Sequence, residues 1–118
     1  MNDKIFGIHG AALEIRSQRM GVLASNIANA ATPGFKARDL DFAAALKARL
    51  DGAARGVAGT GEGAGLVYRR PTMQSLDGNT VELAREQIAF AENAVAYSAT
   101  LSFVQGKVST ITRALKGE

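Results

Sequence analysis

The sequence has no cysteine and no tryptophan, and it contains only two prolines and one histidine. Without cysteine the chain forms no disulfide and offers no thiolate to a metal ion. His9 has no second histidine or cysteine with which to complete a zinc site or a nucleophile–base pair. We therefore expect no metal, and we interpret His9 as a partly buried helix residue.

The chain also lacks a long apolar run and a concentrated charge. No stretch reaches the roughly eighteen apolar residues of a membrane span. The net charge is only +3, and basic residues are interspersed with acidic ones, as Arg85 is with Glu82 and Glu86. Proteins that bind nucleic acid usually cluster their basic residues on one face. The pattern favours a solvated charged surface, with no nucleic-acid partner, no acid–base pair, no cofactor and no small-molecule substrate.

Helical periodicity dominates what remains. In the C-terminal segment 80–118, one line of residues recurs at alternating intervals of three and four, which is the seam of a coiled coil. The seam consists of Leu83, Gln87, Phe90, Ala94, Tyr97, Leu101, Val104, Val108, Ile111 and Leu115. A second apolar stripe beside its first half widens the arc to roughly 160°, more than one neighbouring helix covers. The pattern predicts a helix from Thr80 to Lys116 that packs on the rest of the chain and on other subunits.

The N-terminal segment 1–31 predicts a second amphipathic helix. Its apolar stripe includes Phe6, Leu13, Met20 and Ile27, which are spaced by seven residues, and polar residues share the other face. Thr32-Pro33-Gly34 ends this helix, because proline lacks an N–H and disfavours helical geometry at the residue before it.

The segment 32–79 between these helices predicts a loop-rich insert. Asp39 or Asp41 is suited to cap a short helix that runs to Leu50. The stretch 51–65 is nearly all glycine and alanine and predicts a flexible loop. Its alternating glycines lack the strand, helix and lysine of a phosphate loop. Residues 66–68 predict a short extended segment.

Two turns stand out within this plan. Asn26 and Asn29 lie on the last turns of the first helix, where their amides can bond exposed carbonyl groups or reach the returning chain. Asp77-Gly78-Asn79-Thr80 is a turn, and Asn79 is suited to cap the long C-terminal helix. We expect one all-α domain, in which the two long helices form an antiparallel hairpin or coiled coil.

These stretches carry a family resemblance. Residues 24–39, from Ala24 to Asp39, resemble the N-terminal signature of the bacterial flagellar rod and hook proteins, the axial family. Three further stretches are similar to its proximal-rod members: Tyr68-Arg69 with Pro71, Ser75 to Val81, and Phe90 to Ala94 with Tyr97. The resemblance covers both ends of the chain and leaves out the glycine/alanine middle.

The resemblance implies a structural, non-enzymatic subunit of the basal-body rod in the periplasm, exported by the flagellar type III apparatus without a cleaved signal peptide. Its terminal helices would assemble into a helical tube that joins the inner-membrane MS ring to the rest of the rod and transmits torque. The implied partners are further copies, other rod proteins, MS-ring/rod adaptor proteins and the export apparatus. The candidate interface and motif residues are Asn26, Asn29, Thr32, Pro33, Gly34, Phe35, Asp77, Gly78, Asn79, Thr80, Phe90, Tyr97, Leu101, Val104, Val108 and Ile111.

An alternative interpretation is a helical-hairpin adaptor or type III secretion chaperone that binds one partner through the wide apolar arc. Such a protein would be a stable monomer or dimer, whereas an isolated rod subunit would have frayed termini that become ordered on assembly.

Overall fold

Three helices and two short strands make up the described part of an elongated molecule of 64 × 30 × 18 Å. The computed structural model describes residues 2–54 and 65–117. The elements in chain order are α1 (Asn2–Ala28), β1 (Arg38–Leu40), α2 (Phe42–Ala54), β2 (Leu66–Tyr68) and α3 (Leu83–Lys116). The chain is therefore mostly helical, and the all-α prediction missed a small sheet. β1 has three residues, too few for an alternating pattern to be recognised in the sequence.

α1 is interrupted at Gly7, where the backbone angles are φ 54° and ψ −135°. A positive φ cannot continue a right-handed helix, and glycine adopts it without a steric penalty. The regular part of α1 runs from there to Ala28, three residues short of the predicted end at residue 31. Among residues 6–28 of α1, the buried side chains are Ala12, Ile15, Leu23 and Asn26.

Asp41 precedes α2 and caps it, because its carboxylate accepts a hydrogen bond from the N–H of Ala44 at 3.2 Å. Its buried Ala45 packs with Ile15 of α1 and Leu40 of β1 in the small hydrophobic core. The helix continues to Ala54, so residues 51–54 of the predicted flexible loop are helical instead. Alanine is the strongest helix former, which extends the helix past Gly52. Residues 55–64 of that loop lie outside the described residues.

β1 and β2 pair antiparallel, with Arg38 opposite Tyr68 and Leu40 opposite Leu66. The pairing extends one residue at each end, because the N–H of Arg69 donates to the carbonyl of Ala37 at 2.9 Å and that of Asp41 donates to Gly65 at 2.8 Å. The extended segment predicted at residues 66–68 is this second strand.

α3 lies along α1. The amide of Asn93 donates to the carbonyl of Arg16 at 2.9 Å, and the rings of His9 and Phe103 stack with centroids 5.4 Å apart. No helix in the described part of the chain is long and apolar enough to cross a membrane.

The face that α3 buries differs from the predicted seam by one residue. Its buried positions are Glu86, Ala89, Asn93 and Thr100. Each of these precedes a predicted seam residue, namely Gln87, Phe90, Ala94 and Leu101. The predicted seam is half-buried from Phe90 to Val104, and exposed at Leu83, at Gln87 and from Val108 onwards. A search for apolar periodicity misplaces the centre of this face because three of its four buried residues are polar.

Candidate functional site

The turn at residues 77–81 lies directly against residues 29–37 and forms a contact that we call the motif junction. Asn79, which is buried, places its side-chain Nδ2 2.9 Å from the carbonyl oxygen of Asn29, 3.1 Å from that of Ala30 and 2.7 Å from that of Thr32. These carbonyls follow the last turn of α1, where the regular helical hydrogen bonds have ended. Those of Asn29 and Thr32 each accept one backbone N–H as well, from Thr32 at 3.1 Å and from Phe35 at 3.2 Å. Asn79 therefore caps the C-terminal end of α1.

The prediction that Asn79 caps α3 is wrong. The residue at the N-cap of α3 is Glu82, and its side chain makes no capping hydrogen bond. Asn79 instead uses its Oδ1 to accept from the N–H of Val81 at 2.7 Å. The turn chemistry was recognisable in the sequence, but the helix that it serves is distant along the chain.

Backbone groups complete the motif junction. The N–H of Gly34 donates to the carbonyl of Asp77, and the N–H of Thr80 donates to that of Phe35, both at 2.9 Å. The N–H of Ala37 donates to the hydroxyl of Thr80 at 2.7 Å. Gly34 has a φ of 73°, which lets the chain reverse after Pro33 without strain. Two of the stretches that carry the family resemblance, residues 24–39 and 75–81, therefore form one hydrogen-bonded unit.

The two asparagines of α1 act in different ways. Asn29 donates to the carbonyl of Ser25 at 2.8 Å and accepts from the hydroxyl of Thr32 at 3.0 Å, so it stabilises the helix end locally. Asn26 is buried and reaches β1, where it accepts from the N–H of Arg38 at 3.1 Å and donates to its carbonyl. It pairs with the outer edge of β1 much as a further strand would.

Four charged residues outside the motif junction form a group of ion pairs that we call the charged network: Arg19, Asp39, Arg69 and Glu86. Arg19 donates to the two carboxylate oxygens of Asp39 at 2.8 and 3.1 Å. Arg69 bridges both acids, with Nη2 2.6 Å from Asp39 and Nε 2.8 Å from Glu86. The second of these contacts lacks the alignment of a hydrogen bond. Two positive and two negative charges thus neutralise each other where α1, the sheet and α3 meet.

Glu86 is fully buried, with 0% of its surface exposed. Its Oε2 accepts from Nδ2 of Asn26 at 3.0 Å. A buried ion group is retained only when its partners compensate the loss of water, and here Arg69 and Asn26 supply that compensation. The sequence interpretation of Glu86 as part of a solvated face is wrong.

The charged network shifts the ionisation of two of its members. Burial alone would raise the pKa of Asp39, but the hydrogen bonds from Arg19 and from the N–H of Leu40, with the charges of Arg19 and Arg69, hold that pKa below its usual range. The hydrogen bond to Asp39 raises the pKa of Arg19. Both shifts stabilise the charged forms that the network needs.

The predicted seam residues fall into two groups. Phe90, Tyr97, Leu101 and Val104 are half-buried on the side of α3 that meets α1. Val108 and Ile111 are exposed near the C-terminal end of α3. The charged network was missed by sequence reasoning. The available signal was the spacing of Asn79, Glu86, Asn93 and Thr100, polar residues that recur every seven positions and are all buried.

Among the described residues, the contacts of this site hold the elements of the fold together. In ranges 2–54 and 65–117, no group of three or more histidine, aspartate or glutamate side chains is placed to hold a metal ion. Its hydrogen bonds and ion pairs join α1, the insert and α3 into one unit, with Asn26 and Arg69 contacting more than one element each.

Comparison with known proteins identifies the same family that these motifs resemble. A family model described as "Flagella basal body rod protein" matches residues 7–36, which hold most of α1 and the Pro-Gly turn. A protein of Cereibacter sphaeroides named flagellar basal body rod protein FlgB is 47% identical, over 95% of this chain and 94% of its own length.

Proteins of the same name from Aeromonas hydrophila and Escherichia coli are 45% and 40% identical, over 98% and 89% of this chain and 96% and 88% of their own lengths. None of these names supports the adaptor or chaperone alternative. The chain belongs to the FlgB family of flagellar basal body rod proteins, a family of structural proteins and not of enzymes.

Proposed function

We propose that the chain is a subunit of the proximal rod, and that its terminal helices pack beside those of neighbouring subunits to build a helical tube. The observation that carries this proposal is the exposure of the C-terminal end of α3. Residues 105–117 are all exposed, although Val108, Ile111 and Leu115 continue the three–four spacing of the half-buried Leu101 and Val104. We call Val108, Ile111 and Leu115 the distal stripe.

Within the subunit, α1 and α3 form an antiparallel coiled-coil hairpin. The order of contacts supports this arrangement, because Asn26 meets Glu86, Arg16 meets Asn93, and His9 meets Phe103. The residue numbers on α3 therefore rise as those of the contacting residues on α1 fall, which is the order of an antiparallel pair. The seven-residue interval between buried Glu86, Asn93 and Thr100 is the repeat of a coiled coil.

The distal stripe is a surface for other rod subunits. From Val104 to Lys116, α3 continues for about 18 Å at 1.5 Å per residue. The exposed fractions of Val108 and Leu115 are 42% and 84%. Apolar side chains aligned on an exposed helix face mark a protein contact more often than a solvated surface.

In the assembled basal body, the tube joins the inner-membrane MS ring to the rest of the rod and transmits torque. The partners are copies of this chain, other rod proteins and the adaptor proteins at the MS ring, reached after export through the flagellar type III apparatus into the periplasm. The charged network and the motif junction support a role in transmitting torque, because their hydrogen bonds and ion pairs connect α1 and α3 to the insert between them.

The test replaces Ile111 with Asp and follows export and incorporation separately. A charge buried in a subunit contact without a partner costs several kcal/mol, so we expect normal export of Ile111→Asp and its absence from purified basal bodies. Ser109→Asp is the control, because it places the same charge on the other side of α3. Incorporation of both variants at wild-type levels, with normal motility, would contradict the proposal.

A further inference from the structure

The motif junction contains one of the two Asp-Gly pairs of the chain, Asp51-Gly52 and Asp77-Gly78. In an Asp-Gly pair the backbone nitrogen of the glycine can attack the carboxyl carbon of the aspartic acid side chain, because glycine has no side chain that hinders the approach. A C–N bond forms, a C–O bond breaks and water leaves, which gives a cyclic succinimide.

Hydrolysis then adds the water back at one of the two carbonyl carbons of the succinimide. Opening at one carbon restores aspartate, and opening at the other gives isoaspartate, in which the main chain runs through the former side chain. The net reaction is an isomerisation that consumes no reagent. Isoaspartate lengthens the main chain by one methylene group, so it displaces the backbone groups on either side of it.

The two Asp-Gly pairs have different backbone environments. Gly52 lies inside α2, where each backbone N–H is directed at the carbonyl four residues earlier and is held away from the preceding side chain. Asp77 is exposed and lies outside any helix or strand, and Gly78 has a φ of 79°. Ring closure at Asp77-Gly78 therefore needs a rearrangement of one turn, whereas closure at Asp51-Gly52 needs α2 to unwind.

Contacts of the motif junction hold the Asp77-Gly78 turn in place. The carbonyl of Asp77 accepts from the N–H of Gly34 at 2.9 Å, and that of Gly78 accepts from Nζ of Lys36 at 2.7 Å. Oδ1 of Asp77 accepts from the N–H of Asn79 at 3.0 Å. Ring closure requires the carboxyl group to turn from that N–H to the nitrogen of Gly78, so it must break contacts that the closed junction maintains.

The same turn also opposes the reaction through the charge of the side chain. The hydrogen bonds from the N–H of Asn79 and from Ser75, with the charge of Lys36, hold the pKa of Asp77 below its usual range. The neutral acid can lose water during ring closure, whereas the carboxylate anion is a poor electrophile. Hydrogen bonds to the charged form favour that form, so the folded turn contains less of the reactive acid than an unfolded chain at the same pH.

We propose that Asp77-Gly78 is a site of spontaneous isoaspartate formation and that the closed motif junction protects it. The bond is vulnerable in a chain that has not folded and in a subunit whose junction opens locally. The added methylene group moves Asn79 relative to the end of α1 and moves the carbonyl of Asp77 relative to Gly34. An isomerised chain therefore cannot rebuild the junction with its original hydrogen bonds.

The test measures isoaspartate at both Asp-Gly pairs by mass spectrometry of peptides, with fragmentation that distinguishes the two isomers. The purified subunit is incubated in mildly acidic buffer, folded in one sample and unfolded by urea in the other. We expect isoaspartate at both Asp51 and Asp77 in urea, and formation at Asp77 that is at least about tenfold slower in the folded subunit.

Two variants separate opening of the junction from unfolding of the whole subunit. Asn79→Ala removes the side-chain contacts between the turn and α1, whereas Leu101→Asp destabilises the contact between the long helices and leaves the turn unchanged. Each rate at Asp77 is divided by the rate of the same variant in urea. We expect this ratio to rise at least about fivefold in Asn79→Ala and to rise less in Leu101→Asp.

Lys36→Met serves as a second variant at the junction if Asn79→Ala does not fold, because it removes the bond to the carbonyl of Gly78. Equal rates at Asp77 in folded and unfolded wild type would overturn the protection, and no isoaspartate at Asp77 in urea would overturn the site. Equal rises in the junction variant and in Leu101→Asp would show that unfolding of the subunit, and not opening of the junction, exposes the bond.

Discussion

Asn79 shows how a single side chain in this molecule serves an element far from it in sequence. Its amide group contacts three carbonyl oxygens at the end of α1, about fifty residues away along the chain. An NH₂ group has two hydrogens, so the three oxygens share them. No other side-chain atom among the described residues donates to these three carbonyls.

Replacing Asn79 with Asp is expected to be more harmful than replacing it with Ala. The carboxylate has no hydrogen to donate and sets a negative charge against three carbonyl oxygens at the negative end of a helix dipole. Asn79→Ala removes the side-chain donor from all three carbonyls, of which those of Asn29 and Thr32 keep a backbone N–H. It is expected to lower the free energy of unfolding by about 1–3 kcal/mol, and Asn79→Asp is expected to lower it further. Urea unfolding of both variants measures the order. Equal stabilities, or a more stable Asp variant, would show that the cap is not what Asn79 contributes.

Asp39 connects acid stability to the charged network. Its pKa in the folded protein lies below the ordinary value, which is about 3.9 in an unfolded chain. A carboxylate with a lowered folded pKa stabilises the fold fully above the unfolded pKa, and this contribution is lost as the pH falls through the folded pKa. We therefore expect the stability difference between the wild type and Asp39→Asn to be constant from pH 7 to about pH 5 and to shrink below about pH 4.

Urea unfolding of both proteins at each pH gives that difference directly. The lowered pKa values of Asp77 and Glu82 affect both proteins alike, so they cancel in the comparison. A difference that stays the same down to about pH 2 would rule out the network as a source of acid sensitivity.

The elements divide into those that the sequence could predict and those that it could not. Both long helices, α2 and the strand at residues 66–68 follow from local periodicity and turn residues. The register of α3 on α1 could not be predicted. Glu86, Asn93 and Thr100 are buried although they are polar, and hydrophobic patterning looks for buried positions only among apolar side chains. Only the three-dimensional partners, Arg69 and Asn26 for Glu86, make a buried acid acceptable there.

The site follows the same division. The asparagines and the Pro-Gly and Asp-Gly turns were recognisable as candidates, since each is a poor choice for a helix interior or a strand. That the two turns bind each other depends on how α1 and α3 are arranged, and local sequence carries no information about it. The roles of these residues at subunit boundaries stay predictions.

The turn into β2 offers a test at the scale of an element. Gly65 has a φ of 79°, and a Cβ built on it would lie 2.7 Å from the backbone oxygen of Asp41. Gly34 has a similar φ of 73°, but a Cβ there would meet nothing within 4 Å. Gly34→Ala is expected to cost only the left-handed strain of about 1–2 kcal/mol, and Gly65→Ala more, because the backbone of α2 and the sheet must also move apart. Urea unfolding midpoints rank the two variants. An equal loss of stability would mean that the backbone around Gly65 moves apart at no measurable cost.

For the whole molecule, folding and assembly should be separable by position along α3. Leu101 is half-buried, whereas Val108, about two turns further along α3, is exposed. Leu101→Asp is expected to lower the free energy of unfolding of the isolated subunit by at least 2 kcal/mol, since a charge must be desolvated in the helix contact. Val108→Asp is expected to stay within about 0.5 kcal/mol of wild type, as surface changes do.

Thermal or urea unfolding of the purified subunits distinguishes the two variants before any assembly is attempted. A large destabilisation by Val108→Asp would mean that the end of α3 folds against its own subunit. The distal stripe would then be unavailable to neighbours.

The pairing of Asn26 with Glu86, sixty residues apart, also governs the timing of folding. A chain that emerges N-terminus first presents α1 long before its partners exist, and the bond from Asn93 back to Arg16 spans 77 positions. An isolated helix that contains several glycines is marginal in water. We therefore expect the segments that precede α3 to gain little stable structure before α3 is available. As a result, α1, the sheet and α3 are expected to form together, once the last third of the chain is free to pack.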